Sequence, residues 1–318
     1  MRLSMLWGVF GLLVIAGAAS AAGCGGDEDG SGGATSGTED CSQKDPACQG
    51  GACVALADNA GKTTFGLRMA QLTVTRPAAL TNQLVQSIVG NGVLMNLEQC
   101  RLTGLGTFNW LLEFDTTSGM LRTGGALPRT DPRQGYCFLD EMVGGFPVQP
   151  VTVAYQGDGG VLSADVGDIQ VPIYTDLAAT ETPILLPLKA ARVTQATLSA
   201  DNNCMGTYNA EGLLPVDRCL PSTDIPTFVE GATLEGHIIL EDADQVLVED
   251  LNQSLCVVLA GTDAQYNDNG KCARDASGAI LFKGDYCSTT GSDGGCQDAV
   301  KLGATFAASA VDITGICP

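Results

Sequence analysis

The sequence predicts a mainly β fold: antiparallel, sandwich-like sheets with one or two short helices, held together by disulfides. Three observations carry this. Short β-branched and aromatic runs recur between Gly-, Pro- and Asp-rich turns, which is the pattern of two packed sheets. Helical periodicity is confined to two segments. The chain of 318 residues contains 13 Cys without a C-x-x-C pair, so disulfides fit it better than a zinc ribbon or an iron–sulfur run.

Residues 1–23 read as a secretory signal. One basic residue, Arg2, precedes an apolar run from Met5 to Ala19 and the small residues Ser20, Ala21, Ala22 and Gly23. The run is shorter than the roughly 20 residues that a bilayer core needs. Cys24 follows directly. A cysteine after such a cluster resembles the lipidated cysteine of bacterial lipoproteins, although Ala21 stands where that family usually has Leu. The resemblance implies acylation of Cys24 and a membrane partner reached through the lipid. Parity agrees, because removing Cys24 leaves twelve cysteines, an even number.

Residues 24–40 are Gly, Ser, Thr, Asp and Glu with almost nothing to bury, a flexible tether of about 20 Å reach. Residues 41–60 form a turn-rich knot containing Cys41, Cys48 and Cys53. Two β-rich subdomains are expected after it, over 61–186 and 187–318. In the first, Leu67 to Thr75 alternates, with Leu67, Met69, Gln71 and Thr73 on one face and Leu72 and Val74 on the other. Leu105–Phe114, Val151–Tyr155 and Val161–Val171 read as strands, with Gln156–Gly160 as a hairpin connection. Pro77–Val89 has helical spacing at Leu80, Leu84 and Ile88, ended by Gly90, Asn91 and Gly92. In the second subdomain, Ile184–Leu188 and Val300–Ile313 read as strands. Glu241–Leu259 fits either a helix or a strand at Val246–Val248 followed by a short helix. Leu188 to Thr194 loosely echoes Leu67 to Thr73.

Connectivity among Cys41, Cys48, Cys53, Cys100, Cys137, Cys204, Cys219, Cys256, Cys272, Cys287, Cys296 and Cys317 cannot be read from spacing. If Cys100–Cys137 and Cys204–Cys219 close locally, the N-terminal three and the C-terminal five must share a bridge. The knot would then be stapled to the C-terminal part.

Composition excludes some functions. With 36 acidic against 16 basic side chains and a net charge of −20, the chain lacks the basic clusters that nucleic-acid binding needs. A single His rules out a zinc site with two or more His ligands from one chain. Gly61-Lys62-Thr63 resembles the end of a P-loop, but Leu56 stands where the motif requires Gly. His237 could act as a general base beside Glu235 or Glu241, against the plainer reading of a histidine on a strand face.

Between Arg218 and Lys271 there are ten carboxylates and no Lys or Arg. That density of hard oxygen ligands suits Ca²⁺, with Asp242, Asp244, Asp263 and Asp268 as candidate ligands; a solvated acidic surface is the alternative. Asn267-Asp268-Asn269-Gly270 looks like part of an EF-hand loop, but Gln265 and Ala276 occupy its first and twelfth positions and exclude that motif. Glu241 and Asp244 could also form the carboxylate pair of a glycosidase.

The stretches Leu127–Phe138, Asp201–Asn209, Leu255–Leu259, Gly284–Cys287 and Phe306–Val311 resemble a group of uncharacterised predicted lipoproteins from myxobacteria. That resemblance implies an envelope location and no particular chemistry. The sequence thus leads to a lipid-anchored, non-enzymatic binding or structural module of the cell envelope, with a protein or glycan as ligand. Its rival is a carboxylate-based glycan hydrolase or a Ca²⁺-dependent carbohydrate-binding protein.

Overall fold

The computed structural model describes residues 40–318 apart from Gln43, Gly50, Gly51, Asn82, Gly159, Val216, Asp217, Thr223, Asp224 and Ile225. The expected signal segment, Cys24 and all of the tether but Asp40 lie outside the described residues. The described residues belong to one compact unit.

The fold is mainly β, 46% strand and 14% helical, but its core is a closed barrel and not a sandwich. Eight strands build it: β1 (Thr64–Arg76), β2 (Asn109–Asp115), β3 (Met120–Ala126), β4 (Val151–Asp158), β5 (Val161–Ile173), β6 (Ile184–Thr197), β7 (Ala232–Ile239) and β8 (Ala299–Ala310). Each pairs antiparallel with its neighbour in the chain. The barrel closes because β1 pairs with β2 on one side and with β8 on the other, Leu67 facing Ala310 and Leu72 facing Phe306. Alternating runs between turns look the same whether a sheet packs on another or curls onto itself, so the sequence could not separate the two. The expected boundary at 186/187 falls inside β6, and strands from both supposed subdomains pair in one sheet.

Bulges allow the closure, since an extra residue bends a strand and increases its twist. In β1, Met69 pairs with Ala308 and Gln71 with Ala307, which leaves Ala70 as the extra residue. The bulge switches faces. Leu67 and Met69 before it and Leu72 and Val74 after it all enter the main core, whereas strict alternation had put the two pairs on opposite sides. Gln71 and Thr73 turn outward instead, and both donate to the Glu230 carboxylate, at 2.9 and 2.6 Å. In β5, Gly167 adopts φ +80° between two register shifts, a backbone region that side-chain-bearing residues rarely occupy. Ala190 and Ala191 of β6 stand at a further register shift, at the positions that echo Met69 and Ala70.

Other expected elements are modified in similar ways. The Pro77–Val89 helix splits into a 3-10 turn, Ala78–Leu80, and helix α1 (Gln83–Val93), which continues through Gly90 and Gly92. In the acidic stretch the second alternative is nearer: helix α2 (Leu240–Ala243), a short strand Leu247–Val248, then helix α3 (Leu255–Ala260). Beyond β8 the chain leaves the barrel, and Ile313–Ile316 runs parallel to Tyr136–Phe138.

Six disulfides form: Cys41–Cys219, Cys48–Cys100, Cys53–Cys204, Cys137–Cys317, Cys256–Cys272 and Cys287–Cys296. The postulated local pairs Cys100–Cys137 and Cys204–Cys219 do not form. The knot is indeed stapled, but to Cys100, Cys204 and Cys219 and not to the C-terminal five. The reason is packing: Cys48 and Val54 cover the outer face of the β1–β8 seam together with Ala70, Ala307, Tyr208 and Phe228. Closure by three bridges over separations of 151 to 180 residues restricts the unfolded chain most, each worth about 5 kcal/mol in the chain-entropy model. Six disulfides indicate an oxidising, extracytoplasmic compartment. No helix among the described residues is long and apolar enough to cross a membrane.

Candidate functional site: an apolar cavity at one end of the barrel

The two ends of the barrel interior differ. At one end aromatic rings fill the space: Phe65 stacks on Phe114 with centroids 5.4 Å apart, and Tyr155 meets Phe114 edge-on. At the other end side chains leave a cavity of about 140 Å³. Its walls come from the barrel, with Leu72 and Val74 on β1, Trp110 on β2, Leu234 on β7 and Leu302 on β8. Its cap comes from the connections: Leu80 and Val89 around α1, Val248 and Leu251 before α3, and Leu255 and Val258 on α3.

Every lining side chain is aliphatic or aromatic. The one polar atom a wall residue carries is used elsewhere. The Trp110 indole N–H donates to Thr123 Oγ1 at 2.7 Å, and that hydroxyl donates to the Leu111 carbonyl at 2.8 Å. A cavity without hydrogen-bonding groups cannot hold water well, because a water molecule needs two to four polar partners. The space therefore favours an apolar guest.

The cap is fastened by polar contacts. Gln86 of α1 bonds both the N–H and the carbonyl of Val74, which clamps the helix over the end of β1. Behind α3, Asp244 is the central pin. Its side chain is 2% exposed; Oδ1 accepts from the Ser254 hydroxyl and the Cys272 N–H, both at 2.8 Å, and Oδ2 from Arg274 at 2.8 Å. Burial alone would raise its pKa, but the Arg274 guanidinium, the Cys272 N–H and the Ser254 hydroxyl outweigh it and hold the carboxyl below its ordinary value. Ser254 also caps α3 by accepting from the Val257 N–H. Gly270 closes the arrangement, for a Cβ there would come within 2.1 Å of the Asn252 carbonyl oxygen.

These contacts redefine the acidic candidates. Asp244 is committed to structure, and Asp242 stands 3.6 Å from Lys189. Asp263 and Asp268 are exposed. Among the described residues, no group of three or more closely spaced His, Cys, Asp or Glu ligand atoms includes Asp242, Asp263 or Asp268, so the structure does not gather the four carboxylates into one cluster. Such a group does form around Asp244, but its other members, Cys256 and Cys272, are bonded to each other. Glu241 and Asp244 share the guanidinium of Arg274, Asp244 from a buried position and Glu241 from an exposed one. Of the ten carboxylates, Asp224 lies outside the described residues.

His237 is buried on β7 and packs against the Tyr286 ring at 4.8 Å. Burial pushes its pKa down, against the pull of Asp168 and Asp298 upward.

No family model, curated protein or solved structure matches this chain. Clefts of about 440, 410, 370 and 150 Å³ are larger, and each carries polar or charged side chains in its lining. In the first, Asp285 pairs with Arg76, and in the second Gln71 and Gln86 are engaged with Glu230, Phe228 and Val74. The cavity was missed in the sequence because its lining spans residues 72 to 304, in segments that closure alone brings together. A lone indole at Trp110 in an alternating run was the nearest local signal.

Proposed function

We propose that this chain is a non-enzymatic binding module of the bacterial cell envelope, anchored by lipid on Cys24 and carrying a small apolar ligand in its barrel. The observation that carries the ligand is the wholly apolar cavity of about 140 Å³. An engineered cavity of roughly 150 Å³ with similar walls stays dry and takes benzene or xenon, and eight-stranded barrels are just wide enough to hold one small ligand. The signal-like residues 1–23, the cysteine after them and the likeness to myxobacterial predicted lipoproteins support the anchor; the disulfides support the compartment.

Two measurements test this reading. Thermal melts in saturating benzene are expected to rise, since a ligand bound only to the folded state stabilises it by RT ln(1 + [L]/Kd), about 2.7 kcal/mol at a hundredfold excess over Kd. A melting temperature that ignores benzene removes the ligand from the proposal. Intact mass after expression in a lipoprotein-processing host is expected to show loss of residues 1–23 and an acylated Cys24; an unmodified thiol there removes the anchor.

A further inference from the structure

Fifteen of the sixteen side chains lining the cavity are buried or half-buried. The sixteenth is Leu251, which is 52% exposed. It reaches the cavity with one side and solvent with the other. It closes a single 3-10 turn, Glu249–Leu251, whose end is Asn252 in a left-handed conformation at φ 50°. Leu247, on the approach to this turn, is 49% exposed as well.

We infer that Leu251 is the gate of the cavity, and that the ligand is an amphiphile with a short apolar end inside and an uncharged or cationic head left outside beside Glu249. This rests on the binding reading above and names its ligand class. Volume sets the inner part: a space that matches benzene takes about six carbons, not a full-length acyl chain. The absence of polar lining sets the location of the head, because burying an unpaired polar group costs several kcal/mol and an isolated charge far more. The exit sets its charge. Glu249 is exposed on the same turn as Leu251, and the chain carries a net −20, so an anionic head would meet like charge where it leaves the cavity.

The test uses the full chain with Trp7→Phe, so that Trp110 in the cavity wall is the remaining indole. Bromobenzene, whose heavy atom quenches a neighbouring indole, reports occupancy, and 1-hexanol, hexylammonium and hexanoate compete with it at pH 7. Hexanol and hexylammonium are expected to displace bromobenzene, with hexanoate weaker than hexylammonium by roughly two- to fivefold, the size of one exposed charge pair. That gap is expected to narrow in 1 M salt and with Glu249→Gln, and to invert with Leu251→Lys. Both substitutions lie at exposed positions, and a melt confirms that each variant folds. If bromobenzene quenches but hexanoate competes as well as hexylammonium, or Leu251→Lys leaves the order unchanged, the gate and head assignment fail while the cavity stands. If bromobenzene does not quench, the binding reading fails and this inference with it.

Discussion

Asp244 shows how one buried carboxylate organises a functional element. It joins the start of α3, the Cys256–Cys272 loop and Arg274 through three hydrogen bonds of 2.8 Å. Replacing it with Asn keeps the shape and loses the charge, leaving the Arg274 guanidinium without its buried partner; about 2 kcal/mol of stability should go, read by urea unfolding at pH 7. The pH dependence has a definite sign. The folded pKa lies below the usual value of 3.8, so this stabilisation is present above that value and disappears as pH falls through the folded pKa. The stability gap between wild type and Asp244→Asn should close on acidification below about pH 4. A gap that stays constant down to pH 2 would mean that the carboxylate charge is irrelevant. In the sequence Asp244 is one acid in a dense run and fits a metal ligand; Arg274, thirty residues on, sits against it only once the chain folds.

At the scale of elements, strands were legible and their boundaries were not. Val300, Leu302, Ala304 and Phe306 alternate inward on β8 as their spacing implied, because nothing interrupts the period of two. In β1 the same logic misassigned a face, since the bulge at Ala70 inserts one residue and no local signal marks it: Ala is an ordinary strand residue. Helix α1 outran its expected glycine stop because Gln86 and the barrel end hold it in place, and tertiary contact outweighs the roughly 1 kcal/mol that each helical glycine costs. The segment from Glu241 to Leu259 was undecided between helix and strand for a physical reason. It is a succession of elements two to six residues long, each too short for a period to declare itself, stapled by Cys256–Cys272.

For the whole molecule, the twelve cysteines after Cys24 predicted full bridging, and all twelve are bridged. The pattern was hidden because it follows barrel closure: Cys53 and Cys204 are 151 residues apart in the chain and are brought together only when β1 and β8 pair. The cavity was hidden for the same reason. A sandwich of the same strands would have packed its inner faces together, whereas a closed eight-strand barrel encloses a volume that side chains must fill, and here they fill one end with aromatic rings and leave the other open. The most direct test of this account is a crystal of the protein pressurised with xenon. The account predicts a xenon peak among Trp110, Leu72, Leu234 and Leu302, beneath α1 and α3; continuous side-chain density through that space, with xenon elsewhere or absent, would contradict it.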